Sequence, residues 1–375
     1  MKKVLVPKVR FKGFGEEWKE DTIGNIANIT NGKLDANAMV KSGMYNFYTS
    51  GIDVYKIDKY SFEGEGISIA GNGINMGYMH LVSGKYNAYQ RTYILNNIKI
   101  DRHFLFYNLW KNFWEFCQKN TREGSIPYLL YNDISDFKIF KSHSNEQQKI
   151  GKLLDQISNL ITLEQTKLNK LKQLKKTLLE KMFPEHNSKK PRIRFKGFDE
   201  EWKEEKLDDI FKVITGGEPP KNYKNSKHPV GKYKYPIYSN GQEANAIWGF
   251  SDNYSINTEA ITISSIGTIG FPVVRKMFFT PIIRLKTLLP YNKNMNINFL
   301  NLSVSQINFS FNQAGIPSMN SNQLKDNIIL ISRNFSEQQK IGDFFCKIDK
   351  LISLYQSKLN KLKQIKKALI NKMLL

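Results

Sequence analysis

Two stretches of the chain carry apolar residues at alternating intervals of three and four. The first runs Ile150, Leu153, Leu154, Ile157, Leu160, Ile161, then Leu168, Leu171, Leu174, Leu178, Met182. The second runs Ile341, Phe344, Phe345, Ile348, Leu351, Ile352, then Leu359, Leu362, Ile365, Leu369, Met373. This is the period of an α-helix with one apolar stripe. Ser144 with Gln147, and Ser336 with Gln339, fit capping boxes at the two starts. Beyond Gly151 and Gly342 neither stretch holds a Pro or another Gly, and Pro184 stops the first. About 38 residues at ~1.5 Å each give a rod of roughly 57 Å. Such a rod is too long for an ordinary core helix, and its narrow stripe calls for a partner helix. The obvious partner is its own copy. The other faces are rich in lysine, among them Lys167, Lys170 and Lys175 in the first and Lys358, Lys361 and Lys366 in the second. They read equally as solvated coiled-coil faces or as contacts to phosphate or another subunit.

The intervening regions, about 8–143 and 192–334, alternate short apolar runs with Asn-Gly, Ser-Gly and Gly-Gly breaks. Strands are predicted at Gly66 to Ala70, Arg91 to Leu95, Ala260 to Ser264, Pro272 to Arg275 and Pro281 to Leu285. Helices are predicted at 102–119 and about 297–308. Each region therefore reads as an α+β domain with a twisted sheet.

The chain is one unit written twice. Residues 10–20 and 194–204 differ only at Gly15 and Asp199. Tyr48-Thr49-Ser50-Gly51 resembles Tyr238-Ser239-Asn240-Gly241, and Ser125-Ile126-Pro127 answers Gly315-Ile316-Pro317. Glu146-Gln147-Gln148-Lys149-Ile150-Gly151 recurs from Glu337 to Gly342, and Lys167 to Gln173 recurs unchanged from Lys358 to Gln364. Repeats in one order mark a duplicated architecture. The ends of each unit agree almost letter for letter, while the middles agree only in scattered positions. A shared scaffold with two different reading surfaces has this pattern; so does a plain duplication with relaxed middles. The organisation expected is a first domain at 1–143, a spacer helix at 144–183, a linker at 184–191, a second domain at 192–334 and a second spacer helix at 335–375. Antiparallel pairing of the helices, about a pseudo-two-fold axis, would set one domain at each end of a ruler.

Lys and Arg number 56 against 34 Asp and Glu, a formal +22. A folded chain gains nothing from that self-repulsion, and a polyanion relieves it by counterion release. A basic protein with a protein partner stays open. No run reaches the 18 apolar residues of a membrane span, and the start lacks a signal-peptide stretch, so a soluble cytoplasmic protein with no membrane role is the expectation. Cys117 and Cys346 form no C-x-x-C pair and read as reduced thiols.

The loops hold residue types suited to base edges and phosphates. In the first domain the DNA-binding candidates are Tyr48, Thr49, Ser50, Asn72, Asn75, Gln90, Arg91, Arg122 and Ser125. In the second they are Tyr238, Ser239, Asn240, Gln242, Ser265, Thr268, Arg284, Gln313, Ser318 and Asn320. For any one of them, capping a turn or satisfying a core is the commoner role. The Ile-Pro pairs at 126–127 and 316–317 read as rigid turns. There is no P-loop, no H-E-x-x-H, no G-x-S-x-G elbow and no Asn-Pro-Pro-aromatic motif, and Gly71 to Gly77 has the wrong spacing for a dinucleotide loop. No catalytic or metal-binding residue is therefore expected.

The tandem plan, the two Arg-Phe-Lys-Gly-Phe…Glu-Glu-Trp-Lys starts, the Glu-Gln-Gln-Lys-Ile-Gly entries and the Leu-x-x-Leu-Lys-Gln-Leu/Ile-Lys-Lys rods together resemble type I restriction-modification specificity subunits, over the whole chain. That resemblance implies two target-recognition domains, spaced by two antiparallel coiled-coil helices, that read a bipartite site in double-stranded DNA. It implies two methyltransferase subunits that bind S-adenosylmethionine and methylate adenine after base flipping, and restriction subunits that use ATP and Mg. No cofactor would sit in this chain, whose part is address and scaffold. Neither catalytic nor contact residues carry over from the resemblance. A stand-alone nucleic-acid binder or decoy, a coiled-coil adaptor and an enzyme in its own right remain alternatives on the residues alone.

Overall fold

The computed structural model describes residues 5–119, 126–185, 188–241, 246–292, 294–312 and 315–375. They divide into two compact units, Met1–Thr166 with Gln356–Leu375, and Lys167–Tyr355.

The first unit holds β1 (Lys19–Thr22), α1 (Ile23–Ile26), β2 (Asn28–Asn31), β3 (Tyr45–Tyr48), β4 (Val54–Ile57), β5 (Phe62–Glu63), β6 (Gly66–Ala70), β7 (Met79–Val82), β8 (Lys85–Ala88), β9 (Thr92–Asn96), α2 (Arg102–Lys119), α3 (Tyr131–Ser135) and β10 (Lys138–Lys141). Here α4 (Ser144–Met182) begins. The second unit holds β11 (Lys203–Lys206), α5 (Leu207–Ile210), β12 (Phe211–Thr215), β13 (Tyr223–Lys224), β14 (Tyr235–Tyr238), β15 (Ile247–Ser251), β16 (Ala260–Ser264), β17 (Gly270–Arg275), β18 (Thr280–Pro281), β19 (Lys286–Pro290), α6 (Ile297–Val304), α7 (Ser321–Lys325) and β20 (Ile328–Ile331). Here α8 (Phe335–Met373) begins.

Each head has two four-stranded sheets and a ribbon, where one twisted sheet was expected. The inner sheets run β2-β9-β6-β7 and β12-β19-β16-β17; β1-β10 and β11-β20 are the ribbons. All five residues of β6 and of β16 are buried. Their Ile67, Ile69, Ile261 and Ile263 pack under α2 or α6, which explains why these segments read as continuous apolar runs. The outer sheets run β4-β3-β8-β5 and β13-β15-β14-β18, with β3·β8 and β14·β18 parallel. The fourth strand joins opposite edges of these sheets, so the heads differ most here.

The strands at 66–70 and 260–264 and the helix at 102–119 match expectation. Two segments do not. The helix expected to reach 308 ends at Val304, where Gln306 and Ile307 turn back to Ser303 and Val304 by three-residue hydrogen bonds. The run Pro281 to Leu285 is not one strand. Ile283 and Arg284 take left-handed φ of 52° and 59°, and pairing resumes at Lys286. A β-branched residue in that region is strained.

The capping boxes also fall elsewhere. At α4, the N–H groups of Glu146 and Gln147 both reach His143 O; at α8, Asn334 Oδ1 accepts from Ser336 N at 2.9 Å. Within the first unit the two long helices run antiparallel. Ile370 and Met373 share a core with Ile150 and Leu154, while Lys358 Nζ lies 2.9 Å from Glu164 Oε1. Within the second, Met182 shares a core with Ile341 and Phe345, and Lys175 Nζ lies 2.5 Å from Asp349. The stripe is not buried throughout. Leu160, Leu163 and Leu174, with their counterparts Leu351, Leu354 and Ile365, are exposed.

Candidate nucleic-acid interface

The repeated ends of each unit build a clasp that fixes head to helix. Arg10 donates from Nε and Nη2 to both oxygens of Glu146, at 2.8 and 2.7 Å, and Trp18 Nε1 donates to the same carboxylate at 3.2 Å. Arg194, Glu337 and Trp202 repeat the arrangement at 2.5, 2.9 and 3.2 Å. Glu146 and Glu337 are fully buried, so the bidentate guanidinium and the indole are what make their charge tolerable. The next residue ties in the head. Gln147 accepts from Asp101 N and donates to Ser142 O; Gln338 accepts from Asn296 N and donates to Ser332 O. Lys149 lies over the Phe14 ring and Lys340 over Phe198, at 5.0 and 4.9 Å. These motifs, the strongest signals in the sequence, are structural.

The candidate residues that the structure describes gather at one edge of each head, beyond the ends of β3 and β6 or of β14 and β16. Equivalent backbone hydrogen bonds build the two edges. Gly73 N donates to Pro127 O as Gly267 N does to Pro317 O, and Leu129 N to Gly71 O as Met319 N to Ser265 O. Tyr89 N donates to Tyr48 O as Ile282 N to Tyr238 O, and Gln90 N to Leu34 O as Ile283 N to Gly217 O. Both Ile-Pro pairs thus act as braces, and they leave Ile126 and Ile316 71% and 72% exposed.

The side chains on this common frame differ. In the first head Ser50 Oγ donates to Asn72 Oδ1 at 2.5 Å. Thr49 caps the Gly51 N–H, and Tyr48 is buried against His80 and Tyr86. Asn75 sits in the turn that closes on Tyr78, and Gln90 and Arg91 are exposed. In the second head Asn240 spans the edge, donating to Ile283 O at 2.5 Å and accepting from Ser265 N at 2.8 Å. Ser265 is buried and donates to Arg284 O. Tyr238 stacks on the Arg275 guanidinium at 3.9 Å. Ser318 bridges Ile266, and Asn320 caps α7 by accepting from Gln323 N. Ser239 and Thr268 are half-buried, and Arg284 is exposed. Arg122, Ser125, Gln242 and Gln313 lie outside the described residues. Many candidates therefore shape the edge. Gln90, Arg91 and Arg284 carry their polar ends toward solvent, and Arg91 and Arg284 occupy equivalent positions.

Sequence reasoning passed over Lys286, which is buried at the second edge and donates to Thr215 Oγ1 and Ser321 Oγ. A lysine inside an apolar strand run was the available signal. Among the described residues no group of three His, Cys, Asp or Glu is placed to hold a metal ion, and no helix is long and apolar enough to cross a membrane. Burial pushes the Cys117 thiol up to about 12, a poor setting for a nucleophile.

Fold and edges together define a tandem protein with one α+β scaffold used twice and two unlike loop surfaces. The type I restriction modification DNA specificity domain matches residues 15–173 and again 199–364, and the chain belongs to that family. It is 32% identical over 160 residues to the EcoDI specificity subunit of Escherichia coli, a match covering 43% of this chain and 35% of that protein. It is 28% identical over 332 residues to a putative type I specificity subunit of Mycoplasma pneumoniae, covering 85% and 86%. In fold it is similar to the crystal structure of the type I restriction-modification S subunit from M. genitalium, with a TM-score of 0.75 over 99% of both chains at 18% identity.

Proposed function

We propose that this chain reads a bipartite site in double-stranded DNA, one half with each head, and seats two methyltransferase subunits and the restriction subunits on it. The observation that carries the reading is the pair of edges, with the same backbone hydrogen bonds and unlike side chains at matching positions. A common frame holds both surfaces in one geometry, and side chains such as Gln90 against Ile283 or Asn72 against Ile266 vary what is read. The formal +22 charge supports a polyanionic partner. The exposed Leu160, Leu163, Leu174, Leu351, Leu354 and Ile365 supply apolar helix surface for the methyltransferase subunits. S-adenosylmethionine, ATP and Mg belong to the partners; this chain supplies the address, in the cytoplasm where chromosomal DNA is reached.

The test is adenine-methylation mapping in cells with the chain, without it, and with residues 8–143 replaced by the matching domain of a relative. A two-part motif should vanish with the chain and change in one half after the swap. A motif indifferent to both manipulations, or altered in both halves by the swap, would sink the proposal. Recovery of the tagged chain free of any methyltransferase would favour a stand-alone binder.

A further inference from the structure

Lys286 begins β19 and faces Thr215, its cross-strand partner in β12. It is 5% exposed. Its ammonium donates to Thr215 Oγ1 at 3.0 Å and to Ser321 Oγ at 2.9 Å. Both acceptors are neutral hydroxyls, and the ammonium has three N–H donors. Among the described residues no carboxylate lies within ion-pairing distance of it. The neighbouring charge is instead the exposed Arg284, two residues back, at a left-handed backbone position. Burial and Arg284 both push the Lys286 ammonium down from its ordinary range. The two fully buried glutamates, by contrast, have counter-charges: Glu146 holds Arg10, and Glu337 holds Arg194; the buried Arg275 has the Tyr238 ring and Thr262 Oγ1 against it. A buried cation lacking its counter-charge costs stability that a neutral residue would not. The first head shows that the fold does not require it. There the matching cross-strand pair is Asn31 with Tyr93, and Tyr93 donates to Leu129 O.

We propose that Lys286, with Thr215 and Ser321, is a seat for one DNA backbone phosphate, present in the second head and absent from the first. The proposal rests on the DNA-reading function above. A phosphodiester carries the full negative charge that the site lacks, and its oxygens can accept from the lysine and from the hydroxyl whose proton is not engaged in the 3.2 Å bond between Thr215 Oγ1 and Ser321 Oγ. Thr215 is exposed, so the hydroxyl end of the trio is open to such a group. Arg284 adds to the same positive potential. A base edge offers only partial charge and would leave most of the deficit standing.

The experiment measures binding of a mixed-sequence 40-base-pair duplex to the full-length chain by fluorescence anisotropy across a KCl series, alongside thermal melting. Lys286→Met should weaken binding about fivefold at moderate salt and lower the log–log salt slope by about 0.9, the share of one phosphate. Its melting midpoint should equal or exceed that of the wild type. Lys286→Arg should keep the slope. The double variant Thr215→Val/Ser321→Ala keeps the lysine, removes both hydroxyls and should lose affinity; it serves if Lys286→Met does not fold. Unchanged affinity and slope in Lys286→Met, or an unchanged affinity in the double variant, would overturn the phosphate seat alone. A wild-type chain that does not bind the duplex at all would overturn both the seat and the DNA-reading function.

Discussion

At the scale of single residues, ion pairs in this protein lie at two depths. In the clasps each buried glutamate receives three hydrogen bonds from one arginine and one tryptophan, so the pair is complete within the chain. At the ribbon, the charges lie nearer the surface. Lys141 Nζ stands 2.5 Å from Asp21, and with Asn25 and the Thr22 N–H it holds the Asp21 carboxyl down to about 2. A carboxyl that ionises more readily in the folded chain stabilises it. That contribution is complete above the ordinary value of 3.8 and is lost as pH falls toward about 2. Asp21→Asn should therefore lower the urea midpoint at about pH 6 and match the wild type by about pH 2. A gap that persists undiminished at the acid end would remove the ion pair as its cause. The clasp residues were visible in the sequence as repeated letters. Their pairing was not, because Arg10 and Glu146 are separated by 136 positions.

At the scale of elements, the starts of the long helices are set by packing against the heads. Gly151 lies in α4 where a Cβ would stand 2.3 Å from Asp101 Oδ1 and 2.9 Å from Phe104 N; Gly342 would meet Asn296 Oδ1 at 2.3 Å. Those two oxygens cap α2 and α6, accepting from Phe104 N and Phe299 N. An alanine in an open helix gains about 1 kcal/mol over glycine. Here the lost cap and the forced shift outweigh it. Gly151→Ala and Gly342→Ala should each destabilise by about 1–3 kcal/mol in urea unfolding, against that gain. Stabilisation by either would show that the heads yield at no cost. The same close approach explains the misplaced capping boxes. Gln147 and Gln339 are spent on the heads, accepting from Asp101 N and Asn296 Nδ2, and His143 and Asn334 cap instead. The Pro281 to Leu285 segment has the composition of a strand, yet Ile283 N bonds Gly217 O and Arg284 N bonds Gly216 O in a left-handed turn. Local propensity was overruled there by contacts from a distant loop.

At the scale of the whole molecule, both long helices have 39 residues and the same Leu-Asn-Lys-Leu-Lys-Gln core. If they space the half-sites, removing one heptad within 163–178 and its copy shortens each by about 10 Å, or about three base pairs of duplex. Methylation mapping of that variant should show a spacer shorter by about three base pairs with both half-sites kept. An unchanged spacer would reject the helices as a ruler and leave the heads as readers.

The sequence by itself determined the duplication, the two long helices, the α+β class and the family, because helical periodicity and repeated motifs are local properties of the chain. It also placed most of the loops that gather at the common edge of each head. Only the tertiary structure decided that the repeated letters form buried Arg-Glu-Trp clasps, that the helix stripe is left partly bare, and that Lys286 is buried with no carboxylate of the described residues at ion-pairing distance. Each of those depends on which distant groups share a space, and on whether charge and hydrogen-bonding capacity balance within it.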